Sequence, residues 1–211
     1  MWEICYHITH MDVNFIFSIV ILIMSVVVHE VSHGYAADAL GDPTPRLQGR
    51  LTLNPLKHLD FFGSVLFPAL SYMVGGIIFG WAKPVQINPY NLKARKWGEA
   101  IVAFAGPLSN IVLAVVFSVL IRFANPLGLS EAFVTFSMTI VVMNIVLAIF
   151  NLIPIPPLDG SKILFAILPA RFMHIRMKLE QYGFLIVLMF LIFMGQLLNP
   201  VIGFLLRVLV G

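Results

Sequence analysis

The apolar residues of this chain fall in blocks long enough to cross a lipid bilayer, and that limits what it can fold into. The blocks lie at about 13–37, 62–81, 100–121, 132–153 and 183–210, with short polar stretches between them. A helix needs about 20 residues to span the hydrocarbon core of a membrane. Across all 211 residues, 60% are hydrophobic and 11% are charged, against roughly 25% charged in an ordinary soluble domain. A soluble globule could not hide so much apolar surface, because small domains keep much of their surface in water. The expectation is an all-α polytopic membrane protein, folded as one domain over 1–211.

The charges mark topology. No Lys or Arg precedes Arg46, and the basic residues then cluster between the apolar blocks: Arg46, Arg50 and Lys57; Lys83, Lys93, Arg95 and Lys96; Arg171, Arg176 and Lys178. The pI near 9.2 therefore does not point to nucleic acid, since no aromatic-basic stripe is present. Placing the clusters 42–61, 83–96 and 171–178 in the cytoplasm satisfies the positive-inside rule. The block at 62–81 then has cytoplasmic flanks on both sides. Its Pro68 and Gly75-Gly76 suit a re-entrant segment, provided the freed backbone groups are buried in protein or line a cavity; a true span is the alternative, since the charge rule has exceptions. The alternating Arg50-Leu51-Thr52-Leu53 predicts a short strand or hairpin. Trp81 and Trp97 fit interfacial anchors. Cys5 is the single cysteine, which excludes a disulfide framework. A leader without basic residues gives no sign of a cleavable signal peptide.

One run inside the first apolar block carries chemistry: His29-Glu30-Val31-Ser32-His33. On a helix, residues four apart share a face, so both imidazoles can reach one metal ion. Glu30 sits beside them, placed to take a proton from a metal-bound water. Ionisable groups in an apolar run are costly and need partners. The bland alternative is a helix end whose polar residues face water. A catalytic zinc takes three protein ligands and keeps one position open, and Asp159 is the third candidate. It follows the fourth block in a break made by Pro154, Pro156 and Pro157. Taken alone, Leu158-Asp159-Gly160 would read as an ordinary turn at a membrane edge. With the histidine pair, the ligand reading is the better one. His7 and His10 read as solvated leader residues, His58 as interfacial and His174 as part of a basic loop. Gly106 reads as allowing close helix approach, and Asn110 equally as an interhelical hydrogen bond or a functional group.

Three motifs in order, His29-Glu30-Val31-Ser32-His33, Gly106-Pro107-Leu108-Ser109-Asn110 and Asn151-Leu152-Ile153-Pro154-Ile155-Pro156-Pro157-Leu158-Asp159-Gly160, resemble the site-2 protease family. The similarity covers roughly 13–165 and is to compact members without PDZ or CBS domains. The resemblance implies a three-helix catalytic core at about 13–165, a C-terminal membrane segment at about 183–210, and a membrane-associated β-hairpin or re-entrant segment after the first core helix. It implies one Zn2+ per chain held by His29, His33 and Asp159, Glu30 as general base, and Asn151 holding the substrate carbonyl or stabilising the oxyanion. The function it implies is intramembrane hydrolysis of peptide bonds in or near transmembrane segments. The partners are then a single-span membrane-protein substrate and the lipid bilayer, with no nucleic acid and homo-oligomerisation left open. Rival readings fit less well. A metal transporter has no need of a base at Glu30. A di-iron oxygenase would carry His-rich boxes, which the six histidines, two of them in the leader, do not form, and a zinc-binding pseudoenzyme would not need Glu30.

Overall fold

A computed structural model describes residues 15–58 and 83–211. The leader with His7 and His10, and the expected re-entrant block at 62–81 with Trp81, lie outside the described residues.

Three long helices form the core: α1 (Phe15–Ala39), α3 (Arg95–Arg122) and α4 (Glu131–Leu152). The short α2 (Thr44–Leu47) follows α1. Within them Phe17–Ala39, Trp97–Arg122 and Glu131–Leu152 are long and apolar enough to cross a membrane. All three agree with the first, third and fourth apolar blocks to within a turn or so at each end. Ser130 starts α4 by accepting the Phe133 N–H on its hydroxyl, with Glu131 in the first turn; both features satisfy or complement the free donors of a helix N-terminus. α3 and α4 pack through Ala114, Val141 and Ile145, which are buried.

After the proline break come α5 (Asp159–Ile167), α6 (Met173–Met194) and α7 (Leu198–Val210). The last apolar block is therefore two helices. The interruption falls at Gly195–Leu197, which leaves Pro200 in the first turn of α7, where its missing N–H costs nothing. α6 begins some ten residues before the apolar block does, so Arg176 and Lys178 sit on a helix and not in a loop. α7 lays Ile202, Leu205, Leu206 and Leu209 against the α3–α4 core.

The polar layer at the end of α1 departs from expectation. No strand occurs among the described residues, and 50–53 turns instead of extending. The Thr52 N–H donates to the Arg50 carbonyl at 2.9 Å, and the Thr52 carbonyl is taken by His58 Nε2 at 2.9 Å. Local partners thus use groups that a ladder would need. His58, expected at an interface, is buried at 1% exposure.

Asp42, which looks like part of a helix-stopping turn, ties this layer together. It is fully buried. One oxygen accepts from the Thr44 N–H at 3.1 Å, the Thr44 hydroxyl at 2.5 Å and Asn91 Nδ2 at 3.0 Å. The other accepts from the Asn88 N–H at 2.6 Å. The Lys93 N–H donates to the Leu40 carbonyl and the Lys83 N–H to the His58 carbonyl. Residues 40–58 and 83–93 therefore form one layer at the α1 C-terminus and α3 N-terminus. Burial alone would raise the Asp42 carboxyl, but the bonds from Thr44, Asn91 and Asn88 outweigh it and hold the group below its ordinary value.

Candidate metal centre

His29 and His33 stand one turn apart on α1 with rings edge to face, as the four-residue spacing requires. Asp159, the first residue of α5, reaches both of them. His29 Nε2 and His33 Nε2 each lie 3.1 Å from the same oxygen, Asp159 Oδ2, and 3.0 Å from each other. All three residues are buried.

These atoms form a triangle of metal-ligand type. Tetrahedral zinc with bonds of about 2.0–2.1 Å separates its ligand atoms by about 3.3 Å, so the triangle needs to open by only a few tenths of an ångström. A second observation supports the fit. A Cβ added at Gly106 of α3 would lie 2.5 Å from His33 Nε2 and 2.6 Å from His29 Nε2. Only a glycine leaves room for an ion on that side of the imidazoles. The sequence reading of Gly106, close helix approach, names the right property and misses what is approached.

The outward-facing nitrogens are held as well. His29 Nδ1 lies 2.6 Å from Asn110 Oδ1, and His33 Nδ1 lies 2.7 Å from the Val102 carbonyl. Metal-binding histidines ordinarily donate their second N–H in this way, which orients the ring and fixes the tautomer. Pro107 lies within α3 and deprives the carbonyl four residues back, that of Ala103, of its helical donor; Val102 is its neighbour. Asn110 makes the interhelical hydrogen bond that one of its two readings expects, donating from Nδ2 to Asn144 Oδ1 of α4 at 2.7 Å.

Asp159 is placed by its own glycine. A Cβ at Gly160 would sit 2.2 Å from the Leu152 carbonyl oxygen and 2.6 Å from that of Ile153, so the start of α5 abuts the end of α4 backbone to backbone. The helix N-terminus favours a carboxylate there. Lys162 Nζ lies 3.7 Å from Asp159 Oδ1 and sets a cation beside the carboxylate.

Glu30 lies beside the pair but outside the triangle. It is partly buried, and its Oε2 accepts the Val85 N–H at 2.9 Å. Asn151 is half-buried near the end of α4, where one amide hydrogen goes to the Leu147 carbonyl at 3.0 Å; no hydrogen bond joins it to the three ligands. His58 lies in the polar layer and His174 is exposed on α6, so neither enters the centre.

The comparisons agree with this chemistry. The family model of Peptidase family M50 matches residues 17–136 and 127–195. The chain is 39% identical to "Putative zinc metalloprotease YwhC" of Bacillus subtilis, over 81% of this chain and 77% of that one. It is 35% identical to "Putative zinc metalloprotease Rip2" of Mycolicibacterium smegmatis, over 81% of this chain and 64% of that one. It is 25% identical to "Zinc metalloprotease MJ0392" of Methanocaldococcus jannaschii, over 74% of this chain and 36% of that one. No solved structure matches. With three helices apolar enough to span a bilayer, this multi-pass membrane chain belongs to Peptidase family M50, the site-2 protease family, and is a zinc metalloprotease.

Proposed function

We propose that the protein hydrolyses peptide bonds in or near transmembrane segments of other membrane proteins. His29, His33 and Asp159 hold the zinc, and Glu30 serves as general base. The observation that carries this is the buried ligand triangle, with a partly buried carboxylate one residue along, set among helices of membrane-spanning length.

Zinc bound there would polarise a carbonyl and lower the pKa of a water towards neutrality. The chain's own groups do the rest. Glu30 takes the water's proton and returns it to the leaving amine. The Val85 N–H fixes one of its oxygens, so the carboxylate is oriented before substrate arrives. Asn151 has a second amide hydrogen beyond the one given to Leu147, and it donates to the oxygen that gains charge in the transition state. The substrate segment has to unwind locally, because helical peptide groups are already hydrogen-bonded.

The centre faces the cytoplasm in this proposal. The polar layer next to it carries Arg46, Arg50, Lys57, Lys83 and Lys93, which the positive-inside rule assigns to that side. The Lys83–His58 bond holds residues 58 and 83 in this same layer. A single-span membrane protein is the substrate class.

The test is purification in detergent and incubation with a panel of single-span proteins. Cleavage by the native chain and none by Glu30→Gln is the expected result. Metal flux in proteoliposomes, unchanged by Glu30→Gln and unaccompanied by proteolysis, would replace this reading with a transporter.

A further inference from the structure

Three polar side chains meet in the middle of the membrane-length bundle, one from each core helix. Ser25 of α1, Asn110 of α3 and Asn144 of α4 are all buried, the two asparagines at 0% exposure. Asn144 Nδ2 donates to the Ile140 carbonyl at 2.8 Å and to Ser25 Oγ at 2.9 Å. A backbone carbonyl can only accept, so the orientation of the Asn144 amide is fixed: nitrogen to Ile140, oxygen to Asn110. Asn144 Oδ1 can likewise only accept, which turns Asn110 Nδ2 towards it at 2.7 Å. The second hydrogen of Asn110 Nδ2 faces the Ser25 carbonyl at the longer distance of 3.4 Å. The Asn110 oxygen is then the atom left for His29 Nδ1, at 2.6 Å.

The consequence reaches the metal. Facing an oxygen, His29 Nδ1 must carry the imidazole proton, and Nε2 keeps its lone pair towards Asp159 and His33. If the Asn110 amide turned over, its NH2 would face Nδ1. His29 would then carry its proton on Nε2 and present an N–H where a ligand is needed. We infer that Asn144, supported by Ser25, is a positioning residue for the metal centre: it locks the Asn110 amide and thereby the tautomer in which His29 binds zinc. The inference rests on the reading of His29 as a ligand. Partners behind a metal-binding histidine typically change metal affinity 10- to 100-fold when removed, and here the dependence extends one residue further back.

A double-mutant cycle on the full chain in detergent tests it, with zinc affinity read by competition against a chelator. Asn110→Asp has an acceptor for His29 whichever way it turns, so it should make position 144 irrelevant to the metal. Asn144→Leu should weaken zinc binding about 10- to 100-fold with Asn110 present. On the Asn110→Asp background the same substitution should change it by no more than about twofold, the scatter of independent effects. Equal losses on both backgrounds would show that Asn144 only packs helices, and no loss with Asn110 present would show that there is no relay. If Asn144→Leu does not fold, Ser25→Ala carries the same cycle with a smaller loss. A His29→Ala control separates the two readings: zinc binding unchanged by that substitution removes His29 as ligand, whereas zinc binding lost there but untouched at 144 removes only the relay.

Discussion

Glu30 Oε2 accepts the backbone N–H of Val85 at 2.9 Å, so the proposed base is also a structural tie between α1 and the polar layer. Val85 is buried at 6% exposure. Replacing Glu30 therefore has two separable effects. Glu30→Gln keeps an oxygen for Val85 and should retain zinc and stability while peptide cleavage falls about 10²- to 10⁴-fold. Glu30→Ala should lose activity equally and also lower the unfolding free energy by about 1–3 kcal/mol, from an unpaired buried donor. Cleavage rates together with denaturation in detergent distinguish the two. Equal stability of the variants would show that the Val85 contact contributes nothing.

Gly106→Ala should remove zinc without removing the ligands. The added carbon falls within 2.6 Å of both Nε2 atoms, so the imidazoles have to move or the ion is displaced. Zinc content by metal analysis should drop at least tenfold. Overpacking should cost about 1–3 kcal/mol in stability. Full zinc occupancy in this variant would mean that α3 does not close the site.

Asp42 predicts a pH dependence of folding. Its carboxyl is held below the ordinary value, so the folded chain binds that proton more weakly than the unfolded chain does. Its stabilisation is complete above the unfolded-state value of about 3.9 and is lost as pH falls below it. Asp42→Asn should destabilise the protein at neutral pH by about 1–3 kcal/mol through weaker hydrogen bonds. The gap from the native chain should shrink below about pH 4. Thermal unfolding of both proteins across that range measures it, and a constant gap would exclude the carboxylate as its source.

The bond between Lys83 and His58 places the two flanks of 59–82 together. Single cysteines at positions 57 and 93, both exposed, on a Cys5→Ser background should therefore react with a membrane-impermeant thiol reagent from the same, cytoplasmic, face. Reaction from opposite faces would exclude a single cytoplasmic layer.

How much the sequence disclosed depended on how local each constraint is. Three core helices follow from apolar runs, and His29 and His33 from a helical spacing that needs no tertiary information. Asp159 could be picked out because ionisable groups near apolar blocks are few. Gly106 was harder, because small residues at helix contacts are common and only the neighbour's identity makes this one chemical. Ser25 and Asn144 carried no signal at all: they sit 119 residues apart, in ordinary apolar surroundings, and only the packing of α1 on α4 joins them. The strand expected at 50–53 failed for the opposite reason. Alternation along four residues is a weak pattern, and His58 and Arg50 supply nearer partners for the backbone.

The hydrogen bonds that join Ser25, Asn110 and Asn144 also bear on how such a chain diverges. Each asparagine hydrogen and each amide oxygen there has a partner. Changing one member strands another inside a membrane-length bundle, where no solvent replaces it. Lipid-facing positions such as Val112 and Val116, exposed on α3, can drift one at a time. Positions 25, 110 and 144 can change only in concert, and in a set of relatives they should vary together or stay fixed together.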